Sequence, residues 1–370
     1  MSDWRSELRE LSRDLGSHVR RVARAVDRTV DRDPYHVVGY RTYATHWRAL
    51  VLGRVMQDEG IVRADASHSG WQNLLNTVRR LESDPLPGAR VRASVGGETH
   101  EAVGDDEGFL REWIKLDAPL ADGQWHSMEL ELVVGDTDAP AKATSQVLVP
   151  SPHAAFGVIS DIDDTVLQSE VTTFLRAARL VLLENARTRL PFPGVAAFYR
   201  ALEAGRAAAP HNPIFYVSSS PWNLYDVISD FLDAQHIPAG PLLLRDWDLS
   251  TSLSGHGGHK SAIIREILEA YPWMRFILIG DSGQEDPEIY ARVVREYPGR
   301  IAAVYIRDVS RNAERSSAIS TLGAALDENG CSLLLAGDTL SIARHAAEHG
   351  WIDEARLAEI GGEVSGQVSG

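Results

Sequence analysis

The chain has 370 residues, 44% of them apolar and 24% charged, an ordinary globular make-up that excludes wholesale disorder, collagen and coiled-coil classes. Its 37 basic and 52 acidic side chains leave a formal charge of −15, a field that repels nucleic acid and anionic surfaces and argues against a nucleic-acid partner. At roughly 100–200 residues per domain, the length predicts two domains.

Residues 4–30 open the chain with a helical stripe. Trp4, Leu8, Leu11, Leu15, Val19, Val22, Val26 and Val30 recur at steps of three and four, which predicts an amphipathic helix over residues 1–33. Its arginines alternate with Glu7, Glu10, Asp14 and Asp27, so the polar face is weakly cationic for a membrane-surface helix. Docking on the same chain, or on a second copy as a homodimer, is the expectation. The first residues are charged and no apolar core follows them, unlike a secretory signal. The single cysteine, Cys331, excludes an internal disulfide, and no run approaches the roughly 18 apolar residues of a spanning helix. A cytoplasmic protein without a transmembrane segment is expected, with peripheral membrane association left open by the N-terminal stripe.

Residues 34–150 change to short extended runs. The runs 91–95 and 98–103 flank Gly96-Gly97, the mark of a two-residue hairpin turn, and residues 128–133 alternate as a half-buried strand does. Regular spacing of such runs predicts an antiparallel β-sandwich domain. Past Pro150, apolar strands at 156–160, 214–218, 242–244, 276–279, 301–306 and 332–336 are mostly separated by helical stretches. That alternation predicts an α/β domain with a doubly wound parallel sheet over residues 151–360. Residues 361–370 are expected to be a flexible tail.

Three carboxylates, Asp161, Asp163 and Asp164, close the strand 156–160. Crowded carboxylates raise one another's pKa unless a cation neutralises them, and a hard ion bound through oxygen is the usual remedy. The strand 276–279 ends in Gly280-Asp281 and reaches Asp286 five residues later. Parallel strands deliver the two clusters to one sheet edge, where open α/β sheets bind ligands. Between them, strand 214–218 ends in Ser218, Ser219 and Ser220, hydroxyls suited to a phosphoryl oxygen. The glycine-rich loop 254–260 sets Lys260 at a helix start, an anion-favouring position. It is no P-loop, because Ser254 and His259 stand where that pattern requires glycine.

In this order the four elements resemble the motifs of the haloacid dehalogenase-like (HAD-like) phosphotransferases. Asp161, Asp163 and Thr165 match D-x-D-x-T, Ser218 the hydroxyl motif, Lys260 the lysine, and Gly280, Asp281 and Asp286 the last motif. The wording of residues 161–166, 216–222, 259–260 and 280–290 is similar to the actin-patch-type phosphatidate phosphatase catalytic domain, over about residues 153–310. Ser219 departs from the glycine expected there.

The resemblance implies a HAD-like Rossmannoid fold with a small helical cap between the first two motifs, and a Mg²⁺-dependent phosphomonoesterase. Asp161 would attack phosphorus to give an aspartyl-phosphate, and Asp163 would protonate the leaving group and then activate water. Ser218 and Lys260 would hold the phosphoryl oxygens, with Thr165, Ser219 and His259 at the substrate. Asp161, Asp163, Asp281 and Asp286 would hold Mg²⁺. The partner is then a phosphorylated substrate: phosphatidate at a membrane surface, hydrolysed to diacylglycerol and phosphate, or a soluble phosphorylated metabolite. An interaction scaffold is the third reading. Trp222 either stacks on substrate or packs under its loop. Asp338 is expected to cap a helix, and His345 and His349 to stand on a surface helix rather than at a metal.

Overall fold

The computed structural model describes residues 35–57, 85–133, 141–162, 192–206, 210–245, 256–310, 312–327 and 330–368. The helix expected at 1–33, most of the expected cap, and Asp163, Asp164 and Thr165 lie outside the described residues.

The first half is built from β1 (Tyr35–Gly39), β2 (Thr42–Thr45), β3 (Arg48–Gln57), β4 (Arg90–Val95), β5 (Glu98–Val103), β6 (Phe109–Lys115), β7 (Gln124–Leu132) and β8 (Lys142–Val149). They join in the order β1-β3-β2-β8-β7-β4-β5, with β6 on the other edge of β3. The hairpin of β4 and β5 closes through Gly96 and Gly97 at φ +64° and +86°, a turn that needs glycine at its two central positions. One expectation is corrected: the sheet is mixed, because β2 and β8 run parallel, Thr42 beside Val147. A parallel pair needs a long crossover, and the chain between β2 and β8, which makes β3 to β7 on the way, supplies it. Leu130 of β7 lies against Gly53 of β3, so the sheet folds over an apolar interior of Val51, Val91, Met128, Leu130 and Val147.

The second half carries β9 (Gly157–Ser160), β10 (Ile214–Pro221), β11 (Leu242–Arg245), β12 (Phe276–Asp281), β13 (Ile301–Arg307) and β14 (Ser332–Ala336). All their pairings are parallel, in the order β11-β10-β9-β12-β13-β14. β9, β12 and β13 are buried along their whole length, which is why they read as unbroken apolar runs. The helices are α1 (Val195–Ala204), α2 (Tyr225–Ala234), α3 (His256–Ala270), α4 (Asp286–Glu296), α5 (Ala313–Asp327), α6 (Thr339–Glu348) and α7 (Arg356–Val368). α3, α4 and α5 pack as one layer, and α1, α6 and α7 as another. Cys331 is buried just before β14.

Two local expectations change. The loop read over 254–260 is already helical from His256, so Lys260 sits in the second turn of α3. The tail expected at 361–370 is helix as far as Val368. Tertiary contacts outweigh its glycines: Glu363 accepts from Arg200 at 2.6 Å and from the Ala197 amide at 3.2 Å, and Ile360 packs against Gly194.

The two sheets share one core. Tyr40 stacks on Trp222 at 4.7 Å and meets Tyr225 at 4.4 Å, and Tyr43 meets Phe215 edge-on at 5.5 Å. Arg41 forks onto Asp233 of α2 at 2.7 and 3.0 Å. Arg111 and Trp113 both donate to Glu266 of α3, and Tyr271 donates to the Ala44 carbonyl at 3.0 Å.

Candidate active site

β9 stands between β10 and β12, so the carboxyl ends of three strands open on one edge. Asp161 directly follows β9, and its amide donates to the Ile279 carbonyl at 2.8 Å, which fixes it against β12. Ser160 donates to the Asp161 carbonyl at 2.7 Å, and its hydroxyl is 2.6 Å from that of Tyr199 on α1. On β10, Ser218 accepts from the Ser220 amide at 2.9 Å, within the stretch between Val217 and Pro221 where the pairing with β11 is irregular and where Ser219 lies. Ser218 and Ser220 are buried, and Ser219 is half-buried.

Lys260 reaches into this edge from α3. It is buried, donates to Asp161 Oδ1 at 3.0 Å, and also donates to Asp286 Oδ1. Burial alone would lower its pKa, but Asp161 and Asp286 outweigh that and hold the ammonium well above its ordinary value. The lysine is therefore a fixed charge. Asp281, the last residue of β12, accepts at Oδ1 from the amides of Gly283 at 2.6 Å and Gln284 at 3.0 Å. Asp286 begins α4, and its Oδ2 accepts from the Asp281 amide at 3.3 Å. A side chain at Gly280 would run into the Asp286 carboxylate, so glycine is what lets α4 start against β12.

Asp161, Asp281 and Asp286 each bring one carboxylate oxygen within 4.8 Å of the others, and all three residues are buried. Lys260 offsets one of their charges and leaves two. An all-oxygen donor set with two negative charges in excess fits a hard divalent cation. The edge thus combines a buried carboxylate beside a fixed ammonium, hydroxyls, and a three-carboxylate cluster that could hold a cation.

Of the residues singled out in the sequence, Asp161, Lys260, Asp281 and Asp286 are brought into one cluster, with Ser218 and Ser219 at the end of the adjoining strand. His259 is half-buried, with Nε2 at 3.3 Å from the Leu244 carbonyl, so its ring ties α3 to β11. Burial pushes its pKa down to about 4, so the ring is neutral at physiological pH. Trp222 packs under its loop against Tyr40. Asp338 caps α6, accepting from the Ser341 amide at 2.8 Å. His345 has Tyr305 at Nδ1 and Ser332 at Nε2, both at 3.2 Å, which leaves neither ring nitrogen for a metal.

Other residues went unread in the sequence. Arg315 of α5 donates from Nε to the Ser282 carbonyl at 3.0 Å and from Nη2 to the Gln284 carbonyl at 2.6 Å, and it forks onto Glu288. Ser282 donates to Asp308 at 3.1 Å and accepts from the amides of Val309 and Ser310 at 3.0 Å. A signal was available: Arg315 lies in the first turn of its helix, where the macrodipole disfavours a cation.

Residues 156–308 match the family described as the phosphatidate phosphatase APP1 catalytic domain. The phosphatidate phosphatase APP1 of Saccharomyces cerevisiae is 29% identical over 233 residues, 62% of this chain and 38% of its own length. An uncharacterized protein of Schizosaccharomyces pombe is 28% identical over 155 residues, 41% of this chain and 25% of its own. The match thus spans well under half the length of either relative. Among solved structures, a carbohydrate acetylesterase from Xanthomonas citri aligns over 87% of this chain and 75% of its own, at 13% identity and a TM-score of 0.28, a slight likeness.

Proposed function

We propose, from the match of residues 156–308 to the phosphatidate phosphatase APP1 catalytic domain, that this protein is a Mg²⁺-dependent phosphatase with a HAD-like catalytic domain and a small cap. Its substrate is phosphatidate met at a membrane surface, and its covalent intermediate is an aspartyl-phosphate on Asp161. The observation that carries this is the buried Lys260 bridging Asp161 and Asp286 beside Asp281, within the matched segment.

Lys260 places a counter-charge on Asp161, and a carboxylate is the form that attacks phosphorus. Ser218 and Lys260 hold the phosphoryl oxygens, a task of positioning and charge stabilisation more than of covalent chemistry. Asp163, two residues past the nucleophile, protonates the departing alkoxide and then activates water on the acyl-phosphate. Asp161, Asp281 and Asp286 would hold the divalent cation, with the Asp163 carbonyl as the further donor that the family resemblance implies. When bound, that ion stabilises charge on the transferring phosphoryl group. A soluble phosphomonoester is the second reading, favoured by the net charge of −15. No helix among the described residues is long and apolar enough to cross a membrane.

The test is phosphate release from phosphatidate in vesicles and from a panel of soluble phosphomonoesters, with Mg²⁺ and with chelator. Release should require Mg²⁺ and fall by about 10³-fold or more in Asp161→Asn, as for loss of a covalent nucleophile. Full activity in chelator sinks the cation site. Preference for a soluble ester transfers the substrate to the second reading, and inactivity on every ester leaves a scaffold.

A further inference from the structure

The loop between β12 and α4 joins the two aspartates of the cluster that are not the proposed nucleophile, Asp281 and Asp286. Its shape is held from outside the aspartate cluster. The peptide group joining Ser282 to Gly283 is gripped at its two ends: the carbonyl accepts from Arg315 Nε at 3.0 Å, and the amide donates to Asp281 Oδ1 at 2.6 Å. The next two peptide groups are each held at one end, the Gln284 amide giving to Asp281 Oδ1 at 3.0 Å and the Gln284 carbonyl taking Arg315 Nη2 at 2.6 Å. A cation on one side of a peptide dipole and an anion on the other polarise it in the same sense, so the bonds reinforce one another. The same guanidinium forks onto Glu288, in the first turn of the helix that Asp286 begins. One side chain therefore fixes the orientation of the Asp281 carboxylate and the position of Asp286 relative to it. The neighbouring residue of α5, Ser316, donates to Asp308 at 3.0 Å, and Asp308 holds Ser282, so α5 supports the loop twice.

We infer that Arg315 is a positioning residue that sets the divalent-cation affinity of the Asp281–Asp286 pair, acting through the loop 282–288 and not by touching cation or substrate. The inference rests on the proposed cation site. Outer partners that orient metal-ligating carboxylates typically cost 10–100-fold in metal affinity when removed. Lysine keeps the charge but not the fork, and reaches at most one of the three acceptors well.

The experiment titrates Mg²⁺ into the full chain by calorimetry, and follows the Mg²⁺-dependent rise in thermal midpoint in parallel. Arg315→Met should weaken Mg²⁺ binding by about 10–100-fold. Arg315→Lys should fall between it and wild type. Glu288→Gln should weaken binding in the same direction, and the double variant should lose less than the two singles combined, because they act as one unit. Turnover at saturating Mg²⁺ should stay within severalfold of wild type, so the loss appears in the Mg²⁺ requirement. Arg265→Met removes the ion pair between Arg265 and Glu296, at 2.8 Å on α3 and α4, and should leave Mg²⁺ affinity unchanged. Wild type that binds no Mg²⁺ overturns the cation site and this inference together. Wild-type affinity in folded Arg315→Met and Arg315→Lys overturns the role of Arg315 alone. An equal loss in Arg265→Met also overturns it, since any weakened helix contact would then suffice.

Discussion

Arg307, at the end of β13, is 4% exposed, donates to Thr339 Oγ1 at 2.8 Å, and lies 4.1 Å over the Phe192 ring. Its Nε has no hydrogen-bond partner, no carboxylate pairs with it among the described residues, and burial pulls its pKa down to about 10. A buried charge without a carboxylate in direct contact is destabilising, and the more distant Asp338 offsets only part of the desolvation, so Arg307→Met should leave unfolding free energy unchanged or raise it by up to about 2 kcal/mol. A urea midpoint showing a loss of more than about 1 kcal/mol would mean that the stacking and the threonine bond outweigh desolvation. His259 provides a pH test of the same kind. Its folded pKa of about 4 lies below the ordinary 6.5, so the unfolded chain binds the extra proton between those values. The stabilisation is complete above pH 6.5 and drains away as pH falls towards 4. His259→Gln should flatten that part of the stability–pH curve, and an unchanged slope would assign the acid sensitivity to other groups.

At the scale of single elements, the junction of β12 with α4 is the most exacting. Gly280→Ala puts a methyl group into the Asp286 carboxylate, so Asp286 must move and Lys260 must lose one of its two anchors. Misplacement of about 1 Å can cost on the order of 10²-fold in rate. Gly280→Ala should therefore lower turnover by about that factor with little loss of thermal midpoint; near-normal turnover would mean that the loop relaxes freely. Elements differ in how plainly the sequence announces them. The parallel strands are legible because burial on both faces demands unbroken apolar runs, as at Phe276–Asp281. The strand-end acids and Lys260 are legible because their chemistry is local to each motif. Helix α5 is not, since its buried stripe is only Ile319, Gly323 and Leu326, and with a glycine in the middle it is too weak to stand out among the helix's alanines and serines. Helix α7 hides behind Gly361 and Gly362, and its support comes from Arg200, far away in sequence. The parallel pairing of β2 with β8 is a long-range match that no local pattern encodes. Arg315 escapes notice because it serves backbone carbonyls, which every residue type possesses.

Over the whole molecule, the mixed sheet grips both elements that carry Ser218 and Lys260. Tyr40 and Phe109 brace Trp222, just past the end of β10 that carries Ser218, and Arg111 and Trp113 hold Glu266, on the helix of Lys260. The halves should therefore unfold together. Tyr40→Ala should remove about 2–4 kcal/mol and shift tryptophan fluorescence and far-ultraviolet dichroism by the same amount. Two separated transitions would show that the shared core is not what couples the halves. A last consequence follows from the buried Cys331. Burial lifts its thiol pKa to about 11, so at neutral pH only about one molecule in 10⁴ carries a thiolate, and that thiolate is enclosed. Alkylating and oxidising reagents should pass the native protein by. A cysteine introduced at the exposed Val103 of β5 would then be the sole reactive handle, and dyes or spin labels could be attached there without first deleting the native one.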